Sequence, residues 1–205
     1  MELHAPGGPV RSLKDFLVHI GVVTLGILIA LGLEQLVEAH HRSHLAKVAL
    51  DGFRKELDYN EGQINQVLAG VAKLQAKIET AIGNLSTAPA PGAAEPPLDY
   101  PGIFLNVVST ASWDTAVATQ ALNELPFETV TRYAQAYGTV RLFGDAERQS
   151  LGAWEDLRRF GTNPAALTKD QRAALILELR RYGNVLTIVE FAGRGALRSC
   201  ADALK

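Results

Sequence analysis

Apolar residues follow two different rules along this chain. Over residues 16–33 they are continuous: Phe16-Leu-Val-His-Ile-Gly-Val-Val-Thr-Leu-Gly-Ile-Leu-Ile-Ala-Leu-Gly-Leu33 contains no Asp, Glu, Lys or Arg. Eighteen residues at 1.5 Å rise span roughly 27 Å, close to the thickness of a hydrocarbon core. Asp15 and Glu34 close the run where headgroups would lie. From Leu50 on, the apolar residues are periodic. Leu50, Phe53, Leu57, Asn60, Ile64, Val67, Val71, Leu74, Ile78, Ala81 and Leu85 recur at alternating spacings of three and four, an a/d heptad pattern. No proline interrupts Asp15 to Ala88. The pattern predicts one long helix, apolar all round at first and one-sided afterwards.

The rest of the chain is punctuated. Ser86 to Gly102 holds five of the nine prolines and reads as an extended loop. Three helical stretches follow. One opens near the N-cap candidates of Ser109-Thr-Ala-Ser-Trp113 and runs to about Asn123. A second opens at Pro126, a favoured first helical position, and runs to about Phe160. Gly138, Gly144 and Gly152 weaken it and mark a candidate kink. The last opens with Thr168-Lys-Asp-Gln171, a capping box. Its stripe of Leu175, Leu179, Tyr182, Leu186, Val189, Gly193, Ala196 and Cys200 tapers to small residues that allow a neighbouring helix close.

The predicted fold is all-α. One transmembrane helix continues into a heptad-patterned helix, packed with about three further helices in an extramembrane bundle. The expected organisation is a cytoplasmic tail over 1–15, an anchor over 16–37 and a stalk over 38–86. A Pro-rich linker covers 87–108 and a helical domain 109–205. The heptad stripe has two candidate partners: later helices of the same chain, the favoured reading, or a second copy. Asn60 at a d-like position sets register in either case.

Two other readings of the run compete with a membrane span. A cleaved signal peptide has a shorter apolar region and a small-residue cleavage site, whereas here Glu34-Gln-Leu-Val-Glu38 continues as helix. A buried helix of a soluble domain is seldom apolar on all faces in a chain of 205 residues. Arg11 and Lys14 precede the span, and Arg42, Lys47, Arg54 and Lys55 follow it, so the basic residues do not decide its orientation. A short tail before a large domain suits a signal anchor. In a Gram-negative cell that arrangement, with the anchor in the inner membrane, would place the domain in the periplasm.

Composition removes some alternatives. A hydrophobic fraction of 47% is enough for a packed core, and a formal charge of -2 offers no basic stripe for nucleic acid. The lone Cys200 forms no intramolecular disulfide and, on an apolar face, reads as a small buried hydrophobe. P-loop, G-x-G-x-x-G, G-x-S-x-G and H-E-x-x-H motifs are absent, so no catalytic or cofactor-binding residue is assigned. His40 and His44 share a helix face at a spacing that can bind metal, but a closed site needs further ligands, and contact with lipid headgroups explains them as well. Gly26 and Ala30 form a small-xxx-small pair that permits helix association in a bilayer. With Leu57, Ile64, Val71 and Ile78 they are the candidate interaction residues. The doublets Arg158-Arg159 and Arg180-Arg181, if clustered, suit an acidic partner or anionic lipid. Glu190 and Arg194 read as a helix-stabilising pair.

The segment Ile20-Gly-Val-Val-Thr-Leu-Gly-Ile-Leu-Ile-Ala-Leu-Gly-Leu-Glu-Gln35 resembles the anchor of a widespread group of uncharacterised bacterial membrane proteins. Those chains share one span with a G-[IV]-L-I-A-L core followed by a polar helix. The close match covers about twenty residues; Ser112-Trp113-Asp114 and Tyr133-Ala-Gln-Ala-Tyr137 are also similar. The resemblance implies a bacterial membrane protein and no catalytic residue. The expected function is an anchored interaction or scaffold protein, an accessory subunit of an envelope complex. Its partners are the bilayer and a second copy or another membrane subunit. The alternative is a sensory or ligand-binding module, which a cavity lined by Trp113, Tyr137 and Arg141 would favour, whereas an exposed apolar stripe on the stalk would favour the scaffold. An enzyme is the third and least supported reading.

Overall fold

The computed structural model describes residues 13–87 and 97–205. The expected tail up to Ser12 and the part of the Pro-rich segment at 88–96 lie outside the described residues. Four α-helices follow in order: α1 (Leu13–Ser86), α2 (Ala111–Ala118), α3 (Phe127–Arg158) and α4 (Lys169–Ala203). Two short 3-10 turns, Ala121–Glu124 and Pro164–Ala166, precede α3 and α4. No strand occurs among the described residues. The chain divides into two units, one up to Lys47 and one from Val48 to Lys205.

In the first unit α1 is long and apolar enough to cross a membrane. Its large side chains are exposed throughout, from Phe16, Leu25 and Ile29 to Leu33. In water that surface would be strongly unfavourable; hydrocarbon accepts it, because a helix satisfies its own backbone hydrogen bonds.

The second unit is an all-helical bundle in which the later part of α1 packs on the helices that follow it. Phe53, Leu57, Asn60, Ile64, Val67, Val71, Leu74, Ile78, Ala81 and Leu85 are all buried. Leu50 is half-buried. The a/d stripe is therefore consumed within the chain. Each large apolar member, removed from water, contributes about 1.5–3 kcal/mol.

Contacts along the helices set their directions. Phe53 meets Tyr133 and Tyr137 of α3, and further on Ile64 and Leu68 of α1 and Phe143 of α3 all surround Gly193, so α3 runs parallel to this part of α1. A Cβ on Gly193 of α4 would lie 3.0–3.3 Å from Leu68, Phe143 and Ile64, whereas one on Gly183 would lie 3.9 Å from Ile78. Helix α4 is thus antiparallel to both, and closest where Gly193 lets three side chains converge. The taper read from the sequence serves this crossing.

Local signals explain the start of α4 and the end of α2, whereas Thr110 before α2 makes no side-chain cap bond. The Thr168 side chain accepts from Gln171 N at 3.2 Å, and Gln171 Oε1 accepts from Thr168 N at 2.9 Å: the capping box opens α4. Helix α3 runs unbroken through Gly138, Gly144 and Gly152. The helix expected to reach Asn123 stops at Ala118, because Gln120 takes a left-handed conformation at φ 59°, and a 3-10 turn covers Ala121–Glu124. A non-glycine residue at positive φ is uncommon and ends an α-helix where it occurs.

Candidate functional site

The bundle's distinctive feature is the segment between α1 and α2. Residues 97–110 lack helix of their own and form a strap along the groove between α1 and α3. It runs antiparallel to α1, as its contacts show in order. Lys77 pairs with Asp99 at 2.9 Å. Asn106 Nδ2 donates to Gln63 O (3.1 Å) and Gln66 Oε1 (3.2 Å). Ser109 exchanges two bonds with Asn60, whose Nδ2 donates to Ser109 O (2.7 Å) and whose Oδ1 accepts from Ser109 N (2.8 Å). On the other side Trp154 Nε1 donates to Pro101 O (3.0 Å), Tyr182 Oη to Gly102 O (2.9 Å), and Asn106 N to Glu147 Oε1 (3.1 Å). Tyr100 Oη and Leu98 N reach Gly161 O and Thr162 O at 2.5 and 2.9 Å. An extended backbone has no internal ladder, so side chains of the flanking helices satisfy it instead.

Shape adds to polarity. Phe104 lies over Gly70, where a Cβ would overlap its ring. Glycine at this helical position is required by the close approach.

At the strap's end stands an aromatic box. Phe53, Trp113, Tyr133 and Tyr137 have ring centroids 4.9–5.7 Å apart, in tilted and edge-on pairs. Glu56 closes it. Its carboxyl accepts from Tyr137 Oη (2.8 Å), Ser109 Oγ (2.5 Å) and Ser112 N (3.0–3.1 Å). Burial, and then the Glu56 hydrogen bond, push the Tyr137 phenol far above its ordinary range. The hydroxyls of Ser109 and Tyr137 are committed to this carboxyl, which makes the cluster a fastening. Arg141, on the rim, pairs with Asp114 at 2.5 Å. Trp113 and Tyr137, two of the three residues considered as a cavity lining, pack against each other with ring centroids 5.4 Å apart.

Glu147 of α3 holds the strap with a buried carboxyl, 4% exposed, and burial raises it from 4.5 to about 7 against the opposing effects of Asn106 N–H and Arg148. Cys200 is fully buried on α4, and burial pushes its thiol up to about 12, away from nucleophilic chemistry. No buried side-chain nitrogen or oxygen among the described residues lacks a partner.

The other residues singled out from the sequence fall apart spatially. Leu57, Ile64, Val71 and Ile78 are buried against the chain's own helices, and Gly26 and Ala30 lie exposed in the first unit. His40 and His44 are exposed, and among the described residues no group of three His, Cys, Asp or Glu is placed to hold a metal. One arginine of each doublet converges on Asp156, Arg159 at 2.8 Å and Arg181 at 3.8 Å; Arg181 also faces Glu178, Arg158 sits 5.0 Å over the Trp154 ring, and Arg180 lines a groove between α1 and α4. Glu190 and Arg194 pair at 2.7 Å. A groove of about 490 Å³ between α1 and α4, lined by Gln75, Ile78, Glu79, Ile82, Arg180 and Asn184 among others, had no signal in the linear sequence.

No family model matches this chain, and neither does any curated protein or solved structure.

Proposed function

We propose that the protein is a single-pass membrane protein whose helical bundle serves as an interaction or scaffold module, an accessory subunit of a bacterial envelope complex, with its bundle in the periplasm. The observation that carries this reading is the contrast between the two units. In the first, residues 16–33 form an uncharged stretch of helix whose large side chains are all exposed, a surface that suits lipid and helix neighbours. In the second the heptad stripe, whose exposure would have made the stalk itself the contact surface, is covered by the chain's own helices, and among the described residues the buried polar side chains are paired, which suits a rigid platform. Because the stripe is taken, contact with partners falls to the exposed Gly26 and Ala30 face and to outward residues such as Phe191 and Leu177, 74% and 64% exposed.

The test is purification of the native protein in mild detergent with mass measurement of the intact assembly. The reading expects a species heavier than the 22.1 kDa chain, made of further copies or a co-purifying subunit. A monodisperse monomer without partner overturns it.

A second reading, a ligand-binding module, is favoured by the α1–α4 groove, whose volume is in the usual range for small-molecule sites. It predicts a ligand-dependent rise in melting temperature that Arg180→Ala removes; a screen of small carboxylates without such a rise counts against it.

A further inference from the structure

The strap's hold on its groove depends on side chains of α1 and α3, and one of them is a buried acid. Among the described residues the Glu147 carboxyl accepts one hydrogen bond, from Asn106 N. Asn106 is clamped to α1 in turn, and Val108, two residues on, lies 3.4 Å from where a Cβ on Gly144 would stand. Glu147 therefore sits where strap, α1 and α3 join.

An ionised carboxyl in such a place needs several donors or a counter-charge. The surroundings offer little. The strap presents the Asn106 N–H, and α1 presents the neutral amides of Gln63 and Gln66. On its own helix Arg148 favours the charged form, but its guanidinium bonds Asp145. On antiparallel α4, Phe143 marks the level of Gly193, so Glu147 stands one turn further on, level with Val189 and Glu190; Glu190 is held by Arg194. We propose that Glu147 is a proton-operated latch: protonated, it stays buried with Asn106 and the strap seated in the α1–α3 groove, and once it loses its proton the single Asn106 N–H, although it favours the charge, offers less than water does, so the carboxylate draws in water and residues 103–110 are released. The helices keep their own hydrogen-bond ladders, so the strap is the element that yields, and Phe104 leaves Gly70 with it. The latch stands independently of the scaffold reading.

The sign follows from proton binding. With the acid at about 7 in the closed state and 4.5 when solvated, the closed state holds more protons between these values. The opening equilibrium then rises about tenfold per pH unit across that window and levels off above it. Hydrogen exchange of the full chain in detergent micelles, corrected for intrinsic amide rates, should show protection of 103–110 falling with that slope from pH 5 to 7, and Glu147→Gln should flatten it. Carboxyl ¹³C titration of the unsubstituted protein needs no variant and should place Glu147 near 7. Protection independent of pH, a slope that persists in Glu147→Gln, or a Glu147 titration near 4.5 overturns the latch.

Discussion

Asn60 and Glu56 accomplish what the apolar stripe of α1 cannot: they fix the strap in one position. Asn60 is fully buried and spends both ends of its amide on the backbone of Ser109. Asn60→Ala leaves that N–H and C=O unpaired and is expected to cost about 1–3 kcal/mol in a denaturant titration. Gly70→Ala drives a methyl into Phe104 and is expected to destabilise by about 1–3 kcal/mol, whereas Gly62→Ala on the same helix meets nothing within 4 Å and should stabilise by about 0.5–1 kcal/mol. Glu147 supplies a pH dependence. Its folded value is raised, so the stability it contributes is complete below 4.5 and lost as pH rises through about 7, at most about 3 kcal/mol. Melting temperature measured from pH 4.5 to 8 should fall, and less so in Glu147→Gln. Asn60 stood out in the sequence as a polar residue in an apolar register; its partner did not, because Ser109 lies 49 residues away and the bond is to backbone.

At the level of elements, periodicity was the reliable guide. The spacing from Phe53 to Leu85 matches the buried residues of α1 because a helix that buries one face has to place apolar groups every three or four residues. The capping box at Thr168 was equally legible, since both of its bonds are local. Thr168→Ala should cost about 0.5–2 kcal/mol, read from thermal unfolding followed by circular dichroism. What the pattern missed was the strap. Proline density correctly denied it a helix, but extended segments owe their conformation to distant side chains, here Asn60, Glu147, Trp154 and Tyr182, and composition carries no trace of those pairings. The early end of α2 was missed for a related reason: Gln120 is an unusual residue for a left-handed position.

At the scale of the molecule, the sequence separated an all-round apolar helix from a one-sided one, and the structure divides the chain near that change, at Lys47 and Val48. The aromatic box and the α1–α4 groove were invisible beforehand because each gathers residues from helices far apart in sequence. We propose that residues 16–33 are solvated by lipid, while the bundle covers its heptad stripe with its own helices. Cysteine accessibility tests it most directly. In a Cys200→Ala background, single cysteines at Leu25 and at Asn65, which is exposed on the bundle, would be treated with a membrane-impermeant maleimide in opened membrane vesicles. The account predicts labelling at position 65 and none at position 25 until the bilayer is dissolved; equal labelling at both positions in intact bilayers would contradict it.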